Sequence, residues 1–158
     1  MTEPKTKKLE LANAYGGDFL IPLGDSCIGY ALKSSGQFET DDINRVASFL
    51  DSVQKEPSKK NLFVDIGANI GTHSISALKD HGYRKVYAVE PSASNYRLLT
   101  ANICLNGLLG QAVCINAAAS DHEGTSTLVH SLANCGDYRL SSNTEVSRID
   151  DDSTTEQI

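Results

Sequence analysis

The sequence predicts an α/β fold built on a parallel sheet. Three short apolar segments alternate with two longer segments whose apolar residues recur at helical spacing. A glycine-rich turn follows the first apolar segment, as is typical of the carboxyl end of a parallel strand. Because crossovers between parallel strands are short and right-handed, we expect three strands in the order 3-2-1, with helices flanking the sheet.

The composition agrees with one folded domain. The chain has 158 residues, of which 40% are hydrophobic and 22% charged, so it can bury a core. The formal net charge of −6 leaves no basic surplus for a phosphate backbone, so we expect no nucleic-acid partner. No apolar run approaches the roughly 20 residues of a membrane span, so we expect no membrane partner. The N-terminal residues lack the apolar stretch of a secretory signal, which predicts a cytoplasmic protein.

The cysteines predict neither a metal site nor a disulfide framework. No two of Cys27, Cys104, Cys114 and Cys135 have C-x-x-C spacing, and no histidine completes a zinc pattern. We therefore expect four reduced, mostly buried thiols and no bound metal.

Four regions follow from the pattern along the chain. Residues 1–16 are expected to be a flexible N-terminus, and 141–158 an acidic, mobile tail with few aliphatic residues. Residues 17–58 are expected to form a lead-in, with a hairpin over 17–32 that turns at 23–26, then a helix over 42–54. Residues 59–140 form the predicted α/β core. Its elements are a strand at 61–68, a helix at 71–81, a strand at 85–91, a helix at 93–106 and a strand at 112–120.

The segment 65–71, Asp-Ile-Gly-Ala-Asn-Ile-Gly, carries the main functional signal. A glycine-rich turn between a strand and a helix can bring backbone N–H groups against a ligand. The dinucleotide motif G-x-G-x-x-G fails here, because Asn69 and Thr72 stand where its later glycines would be, and no P-loop lysine is present. Glu90 ends the next strand, where a carboxylate can accept both hydroxyls of a ribose. Asp65 suits an ammonium group better than a phosphate.

These blocks together resemble the FkbM-type family of class I S-adenosylmethionine-dependent methyltransferases. The resemblance rests on FVDIGANIGTHS, VYAVEPSASNYRLLTANICLNG and INAAASDHEGT, over roughly residues 60–128. It implies a Rossmann-like fold, S-adenosylmethionine as cofactor and methyl transfer to a small-molecule or carbohydrate hydroxyl. It also implies that the turn holds the amino-acid end, Glu90 the ribose and the later residues the adenine. The cofactor-binding residues so implied are Asp65, Gly67, Ala68, Asn69, Gly71, Glu90, Pro91, Ser92, Asn116, Ala117 and Ala118.

One departure from the family pattern stands out. Members continue into a fourth strand that reads roughly K-x-D-x-E-G, and this block is absent here. The chain is therefore expected to be truncated before the fourth strand and to lack the catalytic base. An alternative function is that of a catalytically incomplete fragment that binds S-adenosylmethionine or S-adenosylhomocysteine, or of a protein-interaction module. A nicotinamide-dependent oxidoreductase is a third alternative, which Asn69 and Thr72 weaken.

Several other polar residues have both a structural and a functional interpretation. Glu39 is interpreted equally well as a substrate-binding residue and as an acid at a helix start. His73 has the residue type of a general base, but a first-turn helix residue with a structural hydrogen bond is favoured. Asn95, Asn102 and Asn106 are interpreted as caps or helix-surface residues. The first strand of the core also lacks a partner for its far edge. The hairpin over 17–32, the later TSTLVH strand or a homodimer would cover it, and the homodimer is favoured.

Overall fold

The computed structural model describes residues 8–53, 60–121, 123–131, 138–141 and 153–158. In chain order the elements are β1 (Leu9–Ala14), β2 (Gly17–Pro22), α1 (Ile28–Ser34), α2 (Thr40–Val53), β3 (Leu62–Ile66), α3 (Thr72–Lys79), β4 (Lys85–Val89), α4 (Ala93–Leu105), β5 (Ala112–Ile115), β6 (Thr127–Ser131), β7 (Tyr138–Ser141) and β8 (Ser153–Gln157).

The central sheet is parallel and has the order β3-β4-β5, as predicted. Asp65 pairs with Ala88 and Val89 with Ile115, so the carboxyl ends of the three strands lie along one edge. The helix α4 is capped at both ends. The Ser92 hydroxyl accepts a hydrogen bond from the Asn95 N–H, and Gly107, at φ 72°, follows the end of α4.

The two faces of this sheet differ in exposure. One face packs against α3 and α4, and Val86 and Ala88 on it are fully buried. On the opposite face of β3, Leu62, Val64 and Ile66 are exposed by 48%, 55% and 59%. A parallel strand usually has apolar cover on both faces, and here the described residues supply it on one.

The far edge of β3 has no strand beside it among the described residues. The hairpin β1–β2 packs against α1 and α4 instead. The TSTLVH segment forms β6, which pairs with β7 and β8 in a separate antiparallel sheet. The two intramolecular covers considered for this edge are therefore both absent.

The hairpin lies earlier in the chain than predicted. β1 and β2 pair over residues 9–22 around Tyr15 and Gly16, so residues 9–14 are not a flexible terminus. The chain then turns at Gly24, at φ 84°, and residues 28–34 form α1 rather than a second strand. Gly16, at φ 87°, supplies the left-handed conformation at the second residue of this turn, a position where glycine is favoured. Residues 1–10 are polar and rich in lysine, so their composition did not indicate a hairpin.

Two further expectations are corrected. The predicted mobile tail includes β8, which pairs antiparallel with β6, and Ser126 and Ile158 exchange backbone hydrogen bonds of 2.9 and 3.0 Å. A strand can be held by its backbone bonds even where its side chains bury little. Residues 142–152 of that tail lie outside the described residues. The helix predicted over 42–54 is α2 and begins earlier, at Thr40; along it Val46, Phe49 and Val53 are more than half exposed, and Ala47 is buried.

Three of the four cysteines lie in the described part of the chain. Cys27, Cys104 and Cys114 are free, but Cys104 is exposed and the other two are half-buried, so the expectation of mostly buried thiols is wrong for these three. Cys135 lies outside the described residues. No helix in the described part of the chain is long and apolar enough to cross a membrane.

Candidate cofactor site

The glycine turn links the end of β3 to the start of α3. The N–H groups of Gly67 and Ala68 both donate to the Val89 carbonyl, at 2.9 and 3.0 Å, which ties the turn to the neighbouring strand. Gly67, at φ 80°, is exposed, and a Cβ built there meets nothing within 4 Å. Gly71, at φ 94°, is buried, and a Cβ there would lie 2.8 Å from Leu99 Cδ1. The first glycine therefore leaves open space beside the turn, and the second allows close packing beneath it.

The turn does not present these N–H groups to a ligand, as the sequence had led us to expect. The Asn69 N–H donates to the Glu90 carboxylate at 2.8 Å, and the Gly71 N–H to the Ala68 carbonyl at 2.8 Å. Together with Gly67 and Ala68, four N–H groups of the turn have acceptors within the protein. A pyrophosphate needs such donors. Their use inside the fold favours a ligand without phosphate groups.

Glu90 is a buried carboxylate that joins two loops at the edge of the sheet. Its side chain is 3% exposed. One oxygen accepts from the Asn69 N–H at 2.8 Å and the other from the Ser92 N–H at 2.9 Å. Asn69 has φ 50°, a left-handed conformation that asparagine tolerates better than most residues, and it aims its N–H at the carboxylate. Glu90 therefore ties the glycine turn to the loop after β4 at the carboxyl edge of the sheet.

Asp65 is the second buried carboxylate of this region. It is 8% exposed and accepts a hydrogen bond of 2.6 Å from the Ser74 hydroxyl on α3. Burial raises the pKa of Asp65, and the bonds from Ser74 and the nearby His73 oppose that rise. Neither Ser74 nor its role was predicted. The sequence offered one indication of this contact: Ser74 lies nine residues after Asp65, in the first turn of the helix that follows the glycine turn.

The ends of β4 and β5 form a third part of the site. The Asn116 amide donates to the carbonyls of Glu90 and Pro91, both at 2.9 Å, and so fixes the loop after β4 against that after β5. Pro91, Asn116, Ala117 and Ala118 line one side of a cavity of about 290 Å³. Residues 124–126 and 157–158 line the other side. The volume is near the lower end of the range for small-molecule sites.

Glu39 and His73 lie together at the start of α3. Glu39 Oε2 is 3.3 Å from His73 Nε2, so the two form an ion pair when the imidazole is protonated. Glu39 precedes α2 at φ 51°, and Phe38 stacks on the His73 ring with centroids 6.5 Å apart. The side chains are 50% and 33% exposed, so both are open to solvent. Glu39 and His73 are far apart in the sequence, so only the tertiary structure brings them into contact.

Asn102 has a different role from the predicted one. It is fully buried and bonds to the backbone of Leu20 in β2 and of Ile70 in the glycine turn, instead of lying on the helix surface. Asn95 is also buried. Asn106 does cap α4, as predicted, and in addition bonds to Asp18 of the hairpin.

The fold is similar to that of two solved structures. The M. jannaschii tRNA m1G37 methyltransferase is 19% identical to this chain, with a TM-score of 0.52 over 75% of this chain and 33% of that one. P. horikoshii TYW2 in complex with MeSAdo is 20% identical, with a TM-score of 0.50 over 75% of this chain and 39% of that one. The chain thus spans between a third and two fifths of their length. No protein-family model matches the sequence, and no curated protein does either.

This comparison corrects the expected partners. A small-molecule or carbohydrate acceptor and the absence of a nucleic-acid partner were predicted, but the M. jannaschii neighbour is a tRNA methyltransferase. The expectation of no nucleic-acid partner rested on net charge, which does not describe how charge is distributed over a surface. The expected acceptor rested on the family resemblance alone. S-adenosylmethionine as the cofactor agrees with a neighbour in complex with MeSAdo. FkbM membership has no matching family model to support it. The predicted fold is confirmed: it is the α/β fold of class I methyltransferases.

Proposed function

We propose that this chain is the cofactor-binding part of an S-adenosylmethionine-dependent methyltransferase. The observation that carries the proposal is the pair of buried carboxylates, Asp65 and Glu90, on either side of a turn whose first glycine opens onto free space. The two carboxylates suit S-adenosylmethionine, which has an ammonium group and ribose hydroxyls as hydrogen-bond donors and has no phosphate. The inward N–H groups of the turn argue against a dinucleotide on the same grounds.

Each part of the site has a role in this proposal. Asp65 attracts the ammonium group, and the open side of the turn at Gly67, Ala68, Asn69 and Gly71 receives the amino-acid chain. Glu90 accepts the ribose hydroxyls, as acidic residues do at this position of Rossmann-like folds. The adenine-binding residues are Pro91, Ser92, Asn116, Ala117 and Ala118, four of which line the 290 Å³ cavity.

Methyl transfer depends mainly on the alignment of the acceptor, the methyl group and the sulfur. When bound, S-adenosylmethionine would supply the methyl group: an acceptor would attack the methyl carbon in line with the carbon–sulfur bond, which breaks as S-adenosylhomocysteine leaves. The residues named above would hold the cofactor and fix its orientation toward an acceptor. Glu39 lies beside the start of α3 and is proposed to contact the acceptor. No residue of this chain is assigned as the base.

For the acceptor, we propose a nucleic acid, with tRNA as the first to test. The support is a neighbour of the same fold that methylates tRNA.

A second candidate function is cofactor binding without catalysis, which the short span of the chain relative to its neighbours favours. Membership of the FkbM-type family remains a hypothesis supported by the motifs around Asp65 and Glu90, and a cytoplasmic location one supported by composition.

Calorimetry and a transfer assay separate these functions. The chain is titrated with S-adenosylhomocysteine and, in parallel, with NAD. We expect binding of the first and none of the second; the reverse result would refute the proposal. Labelled S-adenosylmethionine is then offered with unmodified tRNA transcripts. Transfer of label supports the enzyme, while cofactor binding with no transfer favours the binding function.

A further inference from the structure

Asn102 joins the glycine turn to the N-terminal hairpin through a single buried side chain. Its Oδ1 accepts a hydrogen bond from the Leu20 N–H at 2.7 Å. Its Nδ2 donates to the Leu20 carbonyl at 3.2 Å and to the Ile70 carbonyl at 2.9 Å. Ile70 is inside the turn, immediately before Gly71, and both Asn102 and Ile70 are fully buried. One amide therefore holds the backbone of β2 and the backbone of the turn in a fixed relation.

Asn106 makes a similar contact with the hairpin but none of its hydrogen bonds goes to the turn. Its Oδ1 accepts from the Asp18 N–H at 3.2 Å, and its Nδ2 donates to the Asp18 carbonyl at 2.7 Å. Its other Nδ2 bond goes to the Asn102 carbonyl at 2.9 Å. Residues four apart on a helix face the same way, so the two asparagines bind alternate residues of the β2 backbone. Only Asn102 extends this contact to the turn.

We propose that Asn102 is a positioning residue for the cofactor turn, and that docking of the β1–β2 hairpin helps to hold that turn in its binding conformation. The inference rests on the function proposed above. Four N–H groups of the turn bond inward, so the remaining backbone of the turn sets the surface that a ligand meets. Asn102 orients the Ile70 carbonyl within this backbone. Loss of this bond would free a buried carbonyl and let the turn change shape.

The test compares Asn102→Ala with Asn106→Ala in the full chain. Both variants lose bonds to the hairpin, and only the first loses a bond to the turn. Affinity for S-adenosylhomocysteine is measured by calorimetry, and exchange of the Gly71 amide by NMR in the free protein. We expect Asn102→Ala to weaken binding about tenfold and to speed Gly71 exchange about tenfold, the usual scale for a lost buried hydrogen bond. We expect Asn106→Ala to change each by less than about twofold, since it leaves the turn intact.

Equal effects of the two variants on both readouts would overturn the proposal, because the asparagines would then act through the hairpin alone. If the wild type binds no S-adenosylhomocysteine, the proposed function fails, and the exchange of Gly71 still decides the role of Asn102. If Asn102→Ala does not fold, exchange in the wild type under increasing denaturant replaces it. The Leu20 and Gly71 amides should then share one opening free energy, and a turn that opens while Leu20 stays protected would contradict the coupling.

Discussion

The ionised carboxylate of Asp65 lowers the stability of the folded protein because it is buried. Because burial raises its pKa, the folded protein binds the proton more tightly than the unfolded chain does. The contribution of this group to stability therefore falls as pH rises from the ordinary aspartate value of 3.8 through the raised pKa. Above that window the folded state contains a buried carboxylate, which an ammonium ligand would compensate.

We expect Asp65→Asn to raise the free energy of unfolding at pH 7 and to weaken S-adenosylhomocysteine binding about tenfold, because a charge-assisted bond is lost. The asparagine oxygen can still accept from Ser74, so packing is retained. Urea denaturation at pH 4 and pH 7, with calorimetry at pH 7, measures both effects. A variant less stable than the wild type at pH 7 would show that the carboxylate stabilises the free protein.

Gly67 and Gly71 differ in what surrounds them, which gives a matched pair of variants. Both have positive φ, so alanine at either position costs about 1–2 kcal/mol in backbone strain. At Gly71 the new Cβ also meets Leu99, whereas at Gly67 it enters open space. We expect Gly71→Ala to lower the melting temperature more, and Gly67→Ala to weaken S-adenosylhomocysteine binding while remaining folded. Unchanged affinity of Gly67→Ala would remove the open side of the turn from the site.

At the scale of elements, Glu90 connects the loop after β3 to the loop after β4. We expect Glu90→Ala to weaken S-adenosylhomocysteine binding by about 1.5–3 kcal/mol, the usual value of hydrogen bonds to a charged group. Part of this loss comes from the freed N–H groups of Asn69 and Ser92. Calorimetry on the folded variant measures it, with the exposed Glu123→Ala as the control for loss of an acid. An unchanged dissociation constant would exclude Glu90 from the site.

The two faces of the central sheet predict opposite sensitivities to truncation. Val86 in β4 is fully buried, whereas Val64 in β3 is 55% exposed. We expect Val86→Ala to cost about 2 kcal/mol or more of unfolding free energy, because it removes buried methyl groups and leaves a cavity. Val64→Ala should cost less than about 1 kcal/mol. Chemical denaturation compares them, and equal costs would show that another surface covers the Val64 face in solution.

For the whole molecule, the proposed cofactor should act as a stabilising ligand. A ligand at about 100 times its dissociation constant stabilises the folded state by about 2.7 kcal/mol. In a domain of this size that raises the melting temperature by about 5–10 °C. We expect this shift with S-adenosylhomocysteine and none with NAD at the same concentration, as measured by differential scanning fluorimetry. A shift with NAD alone would reverse the assignment of the cofactor.

Across the described part of the molecule, apolar side chains are exposed on β3, at Leu62, Val64 and Ile66, and on α2, at Val46, Phe49 and Val53. Periodicity indicates which residues share a face, but not whether another element packs against that face. The sequence therefore predicts the apolar stripe of α2, and the tertiary structure shows that the stripe lies on the surface.

Local sequence determined the central sheet and its turn. Short apolar strands, capped helices and the glycines at 67 and 71 act over a few residues, so the β3-β4-β5 order and the position of the glycine turn were predictable from it. Contacts between distant residues required the tertiary structure: the 9–22 hairpin on α4, the Glu39–His73 pair, the inward N–H groups of the turn and the buried Asn102. The physical reason is that a polar side chain takes whichever partner the fold brings within hydrogen-bond distance. Asn102 finds its partners at positions 20 and 70, and no spacing in the sequence indicates either.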